Sequence, residues 1–290
     1  MSFDVAPGEF FVLLGPNGAG KTTTISILTT TLAPTSGRAE IAGHDLVTDA
    51  IGVRQKVGII FQNPSLDQNL TAEENVRLHA TLYGLYSFRP AYWMMPREYK
   101  HQIGELSKLL GIHKEIHRPM RTLSGGMKRK LEIIRSLIHH PRVLFLDEPT
   151  SGLDPMSRRT LWEYLAWVRA ERRTTIFLTT HYLEEAEQAD RICILVKGKV
   201  VSLGTPEEVT LRLVDRYVLI DAADRNALRS ELLERGISFT ETPQFRITFN
   251  EEALHDLLKS IETPLTRVNI HSPSVEDAYL AVLQQYESAE

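Results

Sequence analysis

The residues with the clearest chemistry form one run, Gly15-Pro16-Asn17-Gly18-Ala19-Gly20-Lys21-Thr22, directly behind the apolar stretch Phe10–Leu14. The spacing is G-x-x-x-x-G-K-[ST], in which glycines let the backbone close into a nest of N–H groups that cradles phosphates. A helix expected from about Lys21 to Leu28 turns its unpaired N–H groups and positive dipole end on the same spot. Lys21 brings a full charge for β- and γ-phosphates, the Thr22 hydroxyl suits Mg²⁺, and Thr23 extends the contact by one residue. The plainer alternative is a glycine-rich turn joining strand to helix.

A second apolar strand, Val143–Leu146, ends in two carboxylates, Asp147 and Glu148. Asp147 is placed to hold Mg²⁺, directly or through water, and Glu148 to polarise an attacking water as general base. Adjacent ionised carboxylates favour a cation between them, so Mg²⁺ is expected in the working site. A pair of surface acids at a strand end is the alternative. Two further runs end in polar groups: Val57–Phe61 in Gln62, and Thr175–Thr179 in Thr180-His181. Leu123-Ser124-Gly125-Gly126-Met127 opens another helix, with Ser124 as N-cap and two glycines leaving its tip open to an anion. The economical explanation of a second anion site is that it serves a phosphate held by another copy of the chain. The triplet Lys128-Arg129-Lys130 on that helix reads as a solvated polar face.

The elements that must position these groups follow from pattern. Apolar runs alternate with helical stretches, which implies a parallel sheet covered on both faces, with ligands bound beyond the carboxyl ends of its strands. After the break Pro34-Thr35-Ser36-Gly37, a short strand is expected over Gly37–Ile41. Thr71 with Glu74 forms a capping box for a helix over 71–83, where Leu78 and Leu82 share a face. A helix near 98–111 carries Ile103, Leu106, Leu109 and Leu110 at helical spacing, and the Ser124 helix carries Met127, Leu131, Ile134 and Ile138. Leu161, Leu165 and Val168 mark a further helix, and Arg191–Val196 with Lys199–Leu203 flank the turn Lys197-Gly198.

From about Val214 the composition shifts to the order β-α-β-β-α-β of a ferredoxin-like unit, with an irregular α+β appendage as the alternative. A last helix starts at Ser274, with Asp277 three residues on and Ala278, Val282 and Leu283 along its face.

Composition narrows the classes. The 290 residues suggest about two domains, and 42% hydrophobic with 24% charged residues suits a globular protein with a real core. A net charge of −4 offers no general basic field for nucleic acid. A single cysteine, Cys193, allows no internal disulfide or cysteine-rich metal site and fits a reducing compartment. No apolar run reaches the roughly 18 residues that span a bilayer, and no signal-peptide pattern opens the chain.

With the phosphate loop, Gln62, Ser124, Asp147-Glu148, Ser151-Gly152-Leu153-Asp154 and His181 in this order, the chain resembles the nucleotide-binding subunits of ATP-binding cassette (ABC) transporters from about Gly8 to Pro206. The resemblance implies an α/β P-loop NTPase domain over 1–210, with a helical subdomain at about 64–140 and an α+β accessory domain over 214–290. It implies a head-to-tail homodimer, or a pair with a similar cassette, sandwiching two ATP molecules. Lys21 and Thr22 would hold ATP and Mg²⁺ from one copy, while Ser124, Gly125 and Gly126 close on the γ-phosphate from the other. Gln62 would contact Mg²⁺ or the lytic water, Asp154 would lie in the loop crossing between sites, and His181 would grip the γ-phosphate. Integral membrane permease subunits are the implied partners, at the cytoplasmic face of the membrane.

Met127 replaces the glutamine of the commoner signature, as in export ATPases similar to those for daunorubicin resistance and nodulation factors. The ending Ser272-Pro273-Ser274-Val275-Glu276-Asp277 resembles the same branch, so export of a drug, polyketide, lipid or glycolipid is expected. Two alternatives stand: a soluble cassette ATPase acting on the ribosome or nucleic acid, and a truncated cassette that hydrolyses poorly. The latter arises because family members carry roughly thirty residues before the loop, including an aromatic that stacks on adenine. Here Met1–Phe11 remain, and Phe3 lies too close to the loop to replace it. The aromatic stretch Tyr83–Met95 is either a contact for the membrane partner or a loop packed on its own subdomain.

Overall fold

The computed structural model describes residues 1–61, 66–241, 243–249 and 254–287. The chain divides into two compact units, Met1–Ser202 and Leu203–Glu290.

The first unit opens with β1 (Phe10–Leu14), α1 (Lys21–Leu28), the short ribbon β2 (Glu40–Ile41) and β3 (His44–Asp45), α2 (Ala50–Lys56) and β4 (Val57–Ile60). Then come α3 (Ala72–Leu82), α4 (Arg97–Leu109) and α5 (Gly125–Leu137). The unit continues through β5 (Val143–Asp147), α6 (Pro155–Arg172), β6 (Thr175–Thr180), α7 (Leu183–Glu187) and β7 (Arg191–Val196), and β8 (Lys199–Gly204) runs across its boundary. These strands make a sheet of order β4-β5-β6-β1-β7-β8, with the β4-β5, β5-β6, β6-β1 and β1-β7 pairs all parallel.

Parallel strands covered on both faces should read as unbroken apolar runs, and β1 is buried at every position. The parallel register aligns Leu14 with Thr180 and Asp147 with Thr179, so the ends of β1, β5 and β6 reach one edge together. Cys193 lies wholly inside β7, where burial pushes its thiol up to about 12 and removes it as a nucleophile.

Helices α3 and α4 both pack on α5. The Thr71 capping box forms as the sequence implies. The buried side of α3 is different: Ala72, Val76 and Ala80 face inward, while Leu78 is 42% and Leu82 75% exposed. The reason is visible in Glu73 and Arg77, which are buried because they pair with each other at 3.0 Å, and Glu73 also accepts from the Tyr99 hydroxyl at 3.0 Å. Leu109 is likewise half exposed on α4, whereas Ile103, Leu106 and Leu110 are buried. The aromatic stretch is split. Tyr83 packs on His79 and His139, Tyr86 and Tyr92 pack on Tyr99, and Met95 is buried. Phe88 and Trp93 point outward. Gly37–Ala39 is not strand; only Glu40–Ile41 pairs, with His44–Asp45.

The second unit contains α8 (Pro206–Leu213), β9 (Tyr217–Ala222), α9 (Arg225–Glu234), β10 (Thr240–Glu241), β11 (Phe245–Thr248), α10 (Leu254–Ser260), β12 (Leu265–His271) and α11 (Val275–Glu287). Helix α8 thus lies in this unit, where it packs on α11, rather than closing the first. The sheet order is β10-β11-β9-β12, antiparallel throughout. Strand β9 alternates as a half-covered strand must: Val218, Ile220 and Ala222 are buried with Leu228, Leu232, Phe245 and Ile247, while Tyr217, Leu219 and Asp221 are partly open. Ser274 and Asp277 cap α11 reciprocally.

Candidate nucleotide site

The phosphate loop is held by packing around Gly15. A side chain there would bring Cβ to 2.4 Å from the Leu195 carbonyl oxygen, so only glycine lets β1 end this close to β7. Within the loop the Ala19 N–H donates to the Pro16 carbonyl at 3.1 Å, and Ala19 accepts from the Gly198 N–H at 2.9 Å. Gly20, with φ of 105°, precedes α1 without any side-chain cap, which leaves the first-turn N–H groups for an anion. Gly18, Asn17, Thr22 and Thr23 are exposed, and Pro16 is half-buried.

Lys21 is 6% exposed, and its Nζ donates to the Gly15 carbonyl at 2.7 Å and lies 3.8 Å from Glu148 Oε1. Burial pulls the ammonium below the ordinary lysine range, and Glu148 and then Asp147 pull it back. Thr22 Oγ1 stands 3.4 Å from Asp147 Oδ1, which also accepts from the Thr179 hydroxyl at 2.6 Å. Two hard oxygen donors from separate elements suit Mg²⁺ in chemistry and charge.

Glu148 leaves β5 with φ of 44°, in the left-handed region that L residues avoid. Its N–H donates to the Thr179 carbonyl at 3.0 Å, and its carboxylate lies 3.3 Å from His181 Nδ1, a side chain 40% exposed. Lys21, Thr22, Asp147, Glu148 and His181 therefore meet at one edge of the sheet, as strand-end reasoning expected. Gln62 falls outside the described residues.

Ser124 caps α5, its hydroxyl accepting from the Met127 N–H at 3.3 Å, and Ser124 and Gly125 are exposed with Gly126 half-buried beside them. Asp154 lies on the exposed loop after Gly152, and its carbonyl starts α6 by accepting from Arg158. The basic triplet is not a solvated face. Lys128 and Lys130 are half-buried, and Arg129 is 7% exposed, donating to the carbonyls of Phe61 and Pro149 and to Glu132. The only local cue is Glu132 three residues on, a spacing that exposed ion pairs share, so the sequence carries no signal that separates a buried Arg129 from a solvated one. Phe3 stacks on Phe11 and Phe177 at 5.4 and 6.0 Å between centroids, on the sheet face rather than beside the loop.

Fold and site together define a P-loop nucleotide-binding cassette: a parallel sheet with its loop, acids and histidine at one edge, and a helix presenting an open tip. Residues 1–151 match the ABC transporter family, and the chain belongs to that family. It is 37% identical over 290 residues to the Nod factor export ATP-binding protein I of Burkholderia pseudomallei, covering 97% of this chain and 90% of that protein. Against the daunorubicin/doxorubicin resistance ATP-binding protein DrrA of Streptomyces peucetius it is 41% identical over 231 residues, 78% of this chain and 66% of DrrA. The probable multidrug ABC transporter ATP-binding protein YbhF of Escherichia coli is 39% identical over 209 residues, 72% of this chain. The matched part spans only 34% of YbhF.

Among solved structures, an ATP-binding subunit of an ABC transporter superposes with a TM-score of 0.64 at 32% identity, over 72% of this chain and 84% of that one. The cassette MJ0796, dimeric in a post-hydrolysis state with ADP and Pi, gives 0.61 at 27% identity, over 70% and 88%.

Proposed function

We propose that this chain is the ATP-hydrolysing subunit of an ABC exporter, working as a head-to-tail pair that sandwiches two ATP molecules and drives separate membrane subunits. The observation that carries the reading is the convergence of Lys21, Thr22, Asp147, Glu148 and His181 at one sheet edge, with Glu148 held between the lysine and the histidine. The loop N–H groups and Lys21 bind the β- and γ-phosphates. Thr22 and Asp147, with Gln62, would hold Mg²⁺, which when bound would neutralise charge on the phosphate oxygens. Glu148 orients and deprotonates the attacking water, and His181 contacts the γ-phosphate and steadies the Glu148 carboxylate. Ser124 and its glycines complete the pocket of the opposite copy, and Asp154 lies in the loop between the two sites.

Family membership supports ATP as the nucleotide, and relatives named for Nod factor export and daunorubicin resistance support export of a lipid-like or polyketide cargo. They do not favour the ribosome or nucleic-acid reading. Among the described residues no helix is long and apolar enough to cross a membrane; the proposal places the chain as a peripheral subunit docking on permease subunits at the cytoplasmic face. Glu148→Gln tests the reading: ATP binding is retained, turnover falls to background, and an ATP-dependent dimer accumulates. A variant that stays monomeric with ATP contradicts the sandwich. Co-purification with an integral membrane protein tests the transport role.

A further inference from the structure

We propose that Arg129 is a positioning residue for ATP hydrolysis, fastening the helix that ends in Ser124 to the two strand ends leading to Gln62 and away from Glu148. Arg129 sits in the second turn of α5, five residues after Ser124. Its Nη1 donates to the Phe61 carbonyl at 2.5 Å and to Glu132 Oε2 at 2.8 Å, and its Nε donates to the Pro149 carbonyl at 3.2 Å. Phe61 follows β4 and precedes Gln62 in the chain; Pro149 follows Glu148. Strands β4 and β5 are neighbours, with Ile60 opposite Leu146, so one guanidinium bridges two adjacent strand ends.

The chemistry requires arginine. A buried cation is costly unless it is paired and hydrogen-bonded, and here a fully buried carboxylate and two carbonyls satisfy it. The planar fork sends N–H groups in fixed, divergent directions, which a lysine ammonium cannot reproduce. What the fork holds is the turn that aims the general base. Glu148 has φ of 44°, a conformation that persists only where its surroundings impose it. The Thr179 carbonyl fixes Glu148 from β6, Arg129 fixes the next residue from α5, and the Thr150 hydroxyl donates to buried Glu185 on α7 at 2.5 Å. Because Arg129 rides on the Ser124 helix, a shift of that tip onto a phosphate pulls on the same guanidinium. The occupancy of one pocket thereby bears on the base of the other. This rests on the function proposed above.

The test uses the full chain with Arg129→Lys and Arg129→Gln, measuring kcat, KM for ATP, direct ATP affinity and the thermal midpoint. Displacing a base by a fraction of an ångström to an ångström lowers kcat by about tenfold to a hundredfold while KM and affinity stay within about threefold. Arg129→Lys retains more activity than Arg129→Gln, because it keeps the charge against Glu132. A folded Arg129→Lys with kcat within about twofold of wild type, or with KM alone altered, overturns the proposal. Should both variants melt below the assay temperature, Glu132→Gln gives the same readout with Arg129 in place: lower kcat at unchanged KM supports it, unchanged kcat overturns it. If wild type hydrolyses ATP and Arg129→Lys does so with kcat within about twofold of it, only the positioning role fails. If wild type neither binds nor hydrolyses ATP, the proposed function falls with it.

Discussion

Replacing Gly15 with alanine isolates the packing that brings the phosphate loop to its place. The added Cβ would sit 2.4 Å from the Leu195 carbonyl oxygen and 3.1 Å from Ala19 Cβ. Neither neighbour can yield cheaply. Leu195 belongs to β7, locked to β1 in parallel register with Leu14 opposite Ile194, and Ala19 is buried inside the loop itself. Overpacking of this kind costs about 1–3 kcal/mol. Alanine recovers about 0.4–1 kcal/mol by restricting the unfolded chain, so the net loss is at most about 2.6 kcal/mol and centres on about 1–2 kcal/mol. For a domain of this size that lowers Tm by about 2–8 °C. Gly125→Ala is the control, because no heavy atom lies within 4 Å of its would-be Cβ. Its Tm should be unchanged or slightly higher, since alanine favours the helix it begins. Scanning calorimetry reads both, and nucleotide titration should show weaker ATP binding for Gly15→Ala, whose loop must move. A Gly15→Ala protein that melts with wild type and binds ATP normally would refute the reasoning.

Two further outcomes follow from burial and charge. Burial first, then Arg135 and His139, push His79 down to about 3, so it stays neutral in the fold while an unfolded chain protonates it near 6.5. The unfolded state therefore binds more protons between those values: its contribution to stability is complete above about pH 6.5 and is lost as pH falls toward 3. Urea midpoints at pH 7.5 and 5, a window in which ordinary carboxylates hardly titrate, should drop by the equivalent of up to about 2 kcal/mol, and His79→Gln should flatten that drop. An equal slope in the variant would contradict the assignment. In the aromatic stretch, Tyr92→Ala should cost about 1–2 kcal/mol because the ring packs on Tyr99 and His117. Trp93→Ala, 75% exposed, should change stability by less than about 0.5 kcal/mol yet weaken co-purification with the membrane subunits. Loss of stability in Trp93→Ala with assembly intact would reverse those roles.

Much of the site was legible because each polar group follows a recognisable apolar strand. Gly15–Thr22, Asp147-Glu148 and Thr180-His181 were located by where β1, β5 and β6 must end, and parallel register did the rest. Periodicity said less about which side of a helix is inside. Leu78 and Leu82 share a face, but it faces out, because the paired Glu73 and Arg77 take the buried side with Tyr99. Arg129 was missed for a related reason. A charged triplet has the pattern of a solvated surface, and only the three-dimensional approach of the Phe61 and Pro149 carbonyls turns its middle member inward. Over Gly37–Ile41 an extended-looking run had only the neighbouring ribbon to pair with, and just two residues became strand.

The central claim is that each copy's Ser124 helix tip completes the nucleotide pocket of the other. A structure of the Glu148→Gln chain loaded with ATP measures this directly. The account predicts two ATP molecules between antiparallel copies, with Ser124 Oγ about 3 Å from a γ-phosphate oxygen of the ATP bound at the opposite copy's phosphate loop. An ATP-loaded assembly in which Ser124 lies far from every nucleotide would contradict it.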